Sequence, residues 1–161
     1  MKHKTLWGGM STSSVLRYSD EAQTYEIYSP WKNGNAKVRL KRPVDVIPYA
    51  ELTTYTTYAE PDVQRKSGLG RAVGLGILFG PVGAVVGAVT GGGDFELVKQ
   101  ISIGLHTAAG DDYIIPILYA PVRGEKSSSP AARGAIEKLE EIVAKIESTG
   151  ATFDPNLSAR I

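Results

Sequence analysis

The stretch from Ser129 to Gly150, SPAARGAIEKLEEIVAKIESTG, reads as the single amphipathic helix of a chain otherwise built from β-prone runs. Ser129 suits the N-cap, Pro130 the first turn, where a missing amide costs nothing, and Gly150 the exit. Ala132, Ile136, Leu139, Val143 and Ile146 recur at spacings of four and three, and Ile142 widens the stripe. Glu141 and Lys145 stand one turn apart and can pair, for roughly a few tenths of a kcal/mol. A stripe of so few turns docks on its own domain's core rather than seeding a coiled coil. Beyond this helix (129–149), the tail 151–161, with Asp154-Pro155-Asn156, reads as extended or loosely attached.

Upstream, strand signals dominate. Ser14 to Tyr18 and Thr24 to Tyr28 are β-prone and separated by the polar Ser19–Gln23. Asn33-Gly34-Asn35 is a turn signal. Lys37-Val38-Arg39-Leu40-Lys41 alternates, which predicts a strand with Val38 and Leu40 on one face and three cations on the other. Val44 to Ile47 and the Thr/Tyr-rich Leu52 to Tyr58 continue the pattern. Leu97–Leu105 and Tyr113–Tyr119, split by Gly110-Asp111-Asp112, read as a hairpin. The fold class is therefore α+β, one domain over 1–161.

Composition narrows the function classes. The chain has 161 residues, 42% hydrophobic and 22% charged, as ordinary globular proteins have. A formal net charge of +1 supplies no global attraction to nucleic acid, and none is expected as a partner. With no cysteine, disulfides, thiolate metal sites and a cysteine nucleophile are excluded. Gly8, Gly9 and Ser11–Ser14 interrupt any apolar run at the start, so no signal peptide is expected and the chain reads as cytoplasmic.

The segment 68–93, GLGRAVGLGILFGPVGAVVGAVTGGG, interrupts this pattern. No charge occurs between Arg71 and Asp94, and Gly70/Gly74, Gly76/Gly80 and Gly83/Gly87/Gly91 recur every four residues, a spacing that lets helix backbones approach closely. As one helix, Ala72 to Gly93 would extend about 33 Å, just enough for a bilayer core of roughly 30 Å. Pro81 and the many glycines weaken that span and favour a helical hairpin broken at Gly80-Pro81. Such a hairpin can pack against the domain, self-associate, or dip into one leaflet. Gly68 to Gly74 also fits a loose phosphate-loop pattern, but the polar, proline-containing Ala59–Lys66 before it is no parallel strand.

Strands, further strands and one closing helix are the order of a pleckstrin-homology-like barrel. Arg39-Leu40-Lys41 followed by Val46-Ile47-Pro48-Tyr49-Ala50-Glu51-Leu52 resembles a strand motif of bacterial pleckstrin-homology-like proteins. Gly70-Arg71-Ala72-Val73 with Leu78-Phe79-Gly80-Pro81-Val82-Gly83-Ala84 resembles a glycine-zipper insert of uncharacterised bacterial and phage proteins of that type. The resemblance spans about Lys37 to Ser148. It implies a bent antiparallel sheet or barrel capped by the C-terminal helix, with an inserted glycine-rich hairpin, and a binding or scaffold role.

Candidate functional residues follow. Gly70, Gly74, Gly76, Gly80, Pro81, Gly83, Gly87 and Gly91 are the expected interaction or oligomerisation surface. Lys37, Arg39, Lys41 and Arg42 form a basic row, read first as a solvated face that guards a sheet edge and second, with Arg71, as contacts for anionic headgroups. His106 sits on an expected strand and His3 in an expected loose terminus, too isolated for a metal site. Trp7, Trp31 and Tyr18, Tyr25, Tyr28, Tyr49, Tyr55 and Tyr58 crowd the first sixty residues, divided between core and outer face. No catalytic constellation is legible, and no cofactor or metal is expected. The chain reads as a non-enzymatic interaction or scaffold module, partnered by itself, another protein or a membrane. The alternative is a membrane-inserting or pore-forming protein acting through Gly68–Gly93.

Overall fold

A computed structural model describes residues 2–8, 14–61, 77–79, 97–126 and 128–161. Strands β1 (Lys4–Gly8), β2 (Val15–Ser19), β3 (Thr24–Tyr28) and β6 (Asp45–Pro48) form an antiparallel meander in that order. Alternation drives it: Leu16, Tyr25, Ile27 and Ile47 are buried on one face, while Arg17 and Val46 face out. β1 was not foreshadowed by any strong β pattern. Its pairing with β2 brings His3 Nδ1 to 3.5 Å from Glu26 Oε1, so the terminus expected to be loose is held to the sheet.

The second sheet is built on β7 (Leu52–Pro61), β9 (Leu97–Thr107) and β10 (Asp112–Tyr119), an antiparallel meander. A short 3₁₀ turn, Tyr49–Glu51, leads from β6 into β7. β10 also pairs at Tyr113 and Ile114 with β4 (Trp31–Lys32), which forms a small hairpin with β5 (Asn35–Ala36). β3 runs into β4 through Ser29, at φ +48°, and Pro30, so one stretch of chain serves both sheets. β11 (Glu125–Lys126) pairs with β9. β8 (Ile77–Phe79) pairs antiparallel with β7. The latter three residues are strand, not part of a helical arm, because the open edge of β7 offers their backbone a ladder. The rest of the expected hairpin lies outside the described residues.

Helix α1 (Pro130–Ser148) forms as its sequence predicts. The Ser129 hydroxyl accepts the Ala132 amide at 3.1 Å, an N-cap bond. At the far end Gly150, at φ +105°, donates to the Glu147 carbonyl, and the Ala151 amide donates to Ile146. That pair of bonds is a Schellman motif, and it needs a residue without a Cβ penalty at Gly150. Ala132, Ala135, Ile136, Leu139, Ile142, Val143 and Ile146 are buried, facing β10, β1 and β9. They join Leu16, Ile27, Tyr55, Ile103, Leu105 and Ile115 in one hydrophobic cluster that both sheets share. Each such aliphatic side chain contributes about 1.5–3 kcal/mol by leaving water. The Glu141–Lys145 pair does not form. Glu141 accepts from Lys138 at 2.9 Å, and Lys145 reaches Asp20 at 2.6 Å instead.

The tail is docked, not loose. Thr152–Phe153 form β12, parallel to β7 at Thr54 and Tyr55, and the Asp154 amide donates to the Tyr55 carbonyl at 2.8 Å. Ala159 is buried, and its carbonyl accepts from Gln100 Nε2 at 2.8 Å and Ser102 Oγ at 2.5 Å. Ala159 settles over Gly104, whose missing side chain leaves the room: a Cβ there would lie 3.1 Å from the Cβ of Ala159. The tail thus straps the face of β7 and β9 opposite the core, where a mostly polar row (Thr56, Ser102, Gln100) would otherwise meet solvent.

Candidate functional site

Residues 37–42 are not a strand but an exposed loop between β5 and β6. Their alternation joins no ladder: the bonds of this stretch run to Pro30, Ser29 and Ile27 instead of along a strand, and Pro43 has no amide to donate. The loop is nevertheless held. The Lys37 amide donates to the Pro30 carbonyl at 2.9 Å. Ser29 Oγ donates to the Arg39 carbonyl at 2.9 Å and accepts the Arg39 amide at 3.0 Å, clipping the middle of the loop. The Val44 amide returns to the Ile27 carbonyl at 2.7 Å. Braced in this way, the loop presents Val38, 75% exposed, and Leu40, 70% exposed, among Lys37, Arg39, Lys41 and Arg42, all exposed. Two aliphatic side chains held in water within a cluster of four cations are the least expected surface feature among the described residues.

A polar clasp lies beside it. Lys32 Nζ is 2.7 Å from Asp45 Oδ2, and the Tyr113 hydroxyl donates to the same oxygen at 2.6 Å. Burial alone would raise the Asp45 carboxyl, but the bonds from Lys32 and Tyr113 and the charges of Lys32 and Arg39 lower it on balance. Asn33, at φ +49°, and Gly34, at φ +82°, make the primed turn of the β4–β5 hairpin. Asn33 Nδ2 donates to Asp111 Oδ1 at 3.0 Å, and the Asp112 amide donates to Asn33 Oδ1 at 2.8 Å. His106 Nδ1 lies 2.6 Å from Asp112 Oδ1. Each carboxylate is engaged by a nearby donor, so the cluster fastens turns to one another. Among the described residues no three His, Asp or Glu converge as a metal would need.

The other end of the sheets is pinned by Lys145. Its ammonium lies 4.2 Å from the Tyr18 ring centre and 5.4 Å from that of Tyr49, and it meets Asp20, which also accepts from the Tyr49 hydroxyl at 2.8 Å. The bonds from Lys145 and Tyr49 hold the Asp20 carboxyl below its ordinary value. A depressed carboxyl stabilises the fold fully above the unfolded aspartate range, near pH ~3.9, and that contribution disappears as pH falls through the native value. The melting temperature of wild type should therefore exceed that of Asp20→Asn at about pH 6 and converge on it toward about pH 2. A difference independent of pH would show that the carboxylate charge is not what holds Lys145.

The four cations of 37–42 are thus brought together with two exposed aliphatics. Arg71 and the glycines Gly70, Gly74, Gly76, Gly80, Gly83, Gly87 and Gly91, with Pro81, lie outside the described residues. No helix among the described residues is long and apolar enough to cross a membrane. The Lys145 clasp escapes sequence reasoning because its partners stand 125 and 96 residues away, and only the run of tyrosines hints at it. Neither a known protein family, nor a curated protein, nor a solved structure matches the chain.

Proposed function

We propose that the protein is a non-enzymatic interaction module that attaches peripherally to anionic membrane surfaces through the loop 37–42. The observation that carries this is the exposure of Val38 and Leu40 inside the cationic run, on a backbone clipped by Ser29. Cations near an anionic leaflet contribute about 1 kcal/mol each, and aliphatic tips beside them enter the headgroup boundary. The finer reading of the fold, a pleckstrin-homology-like barrel, belongs to the same proposal. It is supported by a four-strand meander, a following three-strand meander and one C-terminal helix facing both. The glycine-rich insert enters from its sequence, as a self-associating or membrane-contacting element.

Cosedimentation with phosphatidylcholine vesicles, with and without phosphatidylserine, tests the reading. Wild type should pellet only with the anionic vesicles, and less as salt is raised. Lys41→Ala with Arg42→Ala removes about 2 kcal/mol of attraction and should weaken partitioning roughly thirtyfold. Equal binding to neutral vesicles, or no effect of the double substitution, would remove the loop from the proposal.

A further inference from the structure

A second surface feature lies between helix α1, the end of β10 and β1. There the sheets and helix leave a groove of about 600 Å³, floored by Trp7, Leu118 and Tyr119. Gly134 on α1 leaves it open: a Cβ at that position would meet nothing within 4 Å. Tyr119 is 42% exposed. Among the described residues the groove is rimmed by Glu125, Glu137 and Glu141, against the single cation Lys138, which is already paired with Glu141. An apolar floor and an acidic rim together call for a segment with aliphatic side chains and flanking cations.

This chain carries such a segment. We infer that the groove receives the loop 37–42 of a second copy, with Val38 and Leu40 on the floor and Lys37, Arg39, Lys41 and Arg42 against the glutamates. The charges are complementary, net negative around the groove and four positive on the loop. Both sides also expose the apolar surface that such a contact would remove from water. Because loop and groove are different surfaces, two copies can exchange loops reciprocally into a closed dimer or pass them on head to tail. This contact is independent of the membrane reading and shares only the loop with it, so lipid and a second copy compete for the same side chains.

Sedimentation equilibrium of the full chain at low salt tests the contact, with Gly134→Leu as the decisive variant. Leucine is a better helix former than glycine and enters open space, so α1 keeps its stability while the groove fills. Wild type should self-associate more weakly as salt rises, and Gly134→Leu should weaken association about tenfold or more. Glu137→Lys with Glu141→Lys, and Lys37→Glu with Lys41→Glu, should each be monomeric alone and associate when mixed, because the intact loop of the first then meets the intact groove of the second. A monomeric wild type, unchanged association of Gly134→Leu, or no association in the mixture would overturn the inference. The groove variants leave the cations of the loop intact and should still bind anionic vesicles. Loss of vesicle binding in the loop variants alone therefore bears on the membrane reading and not on this one.

Discussion

Leu139→Ala lowers the free energy of unfolding by about 3 kcal/mol, within the ~2–5 kcal/mol typical of emptying a buried leucine site. Leu139 is fully buried midway along α1, where it belongs to the cluster shared by both sheets. Truncation removes the transfer energy of the lost methyl groups and leaves a void that rigid neighbours fill poorly. The cluster around it includes strand residues such as Ile103 and Leu105, tied into ladders on both sides, so relaxation is limited. The adjacent Glu140, exposed on the opposite face, provides the control. Glu140→Ala should change stability by less than about 0.5 kcal/mol. Urea denaturation followed by circular dichroism measures both, and a loss below about 1 kcal/mol at Leu139 would mean that the helix does not seal the core.

Gly104→Val acts by a different route and should be second in size. A Cβ at Gly104 would lie 3.0 Å from Thr56 Cγ2, 3.1 Å from Ala159 Cβ and 3.1 Å from the Ser158 carbonyl oxygen. Thr56 is fixed in β7, so the tail must move, and overpacking of this kind costs about 1–3 kcal/mol. Moving the tail also breaks the bonds from Gln100 and Ser102 to the Ala159 carbonyl. Hydrogen exchange should show the Asp154 amide, bonded to Tyr55, losing protection while the amides of Ile103 and Leu105 keep theirs. Unchanged protection at Asp154 would mean that the strap accommodates the side chain.

The helix is legible because its apolar spacing and its two caps agree with each other at Ser129 and Gly150. The meanders are legible where alternation coincides with burial, as at Tyr25 and Ile27. Residues 37–42 show why alternation alone misleads: a period of two permits a strand but does not supply a partner, and partners are set by the whole fold. The same dependence hides β1, whose Lys4–Gly8 has little β pattern and is held by β2. The cationic composition of the loop is legible without its structure, but the exposure of Val38 and Leu40 is not. The groove is invisible in sequence, because its walls come from four elements, β1, β10, β11 and α1, and its emptiness comes from one glycine inside a helix.

The strap also sets an order of events. β12 lies parallel to β7, so its pairing with Thr54 and Tyr55 needs the chain to have crossed over first, and α1 is that crossover. A nascent chain that has reached Ser148 holds both meanders and the helix but not the residues that cover Gly104, Ser102 and Gln100. Until Ala159 emerges, that row faces solvent and the edge of β7 at Thr54 and Tyr55 lacks its parallel neighbour. Synthesis therefore passes through a nearly complete species with a sheet edge open to other chains. Pairing of Thr152–Phe153 and docking of Ala159 close that interval, which gives the strap a role in shielding the sheet edge from aggregation.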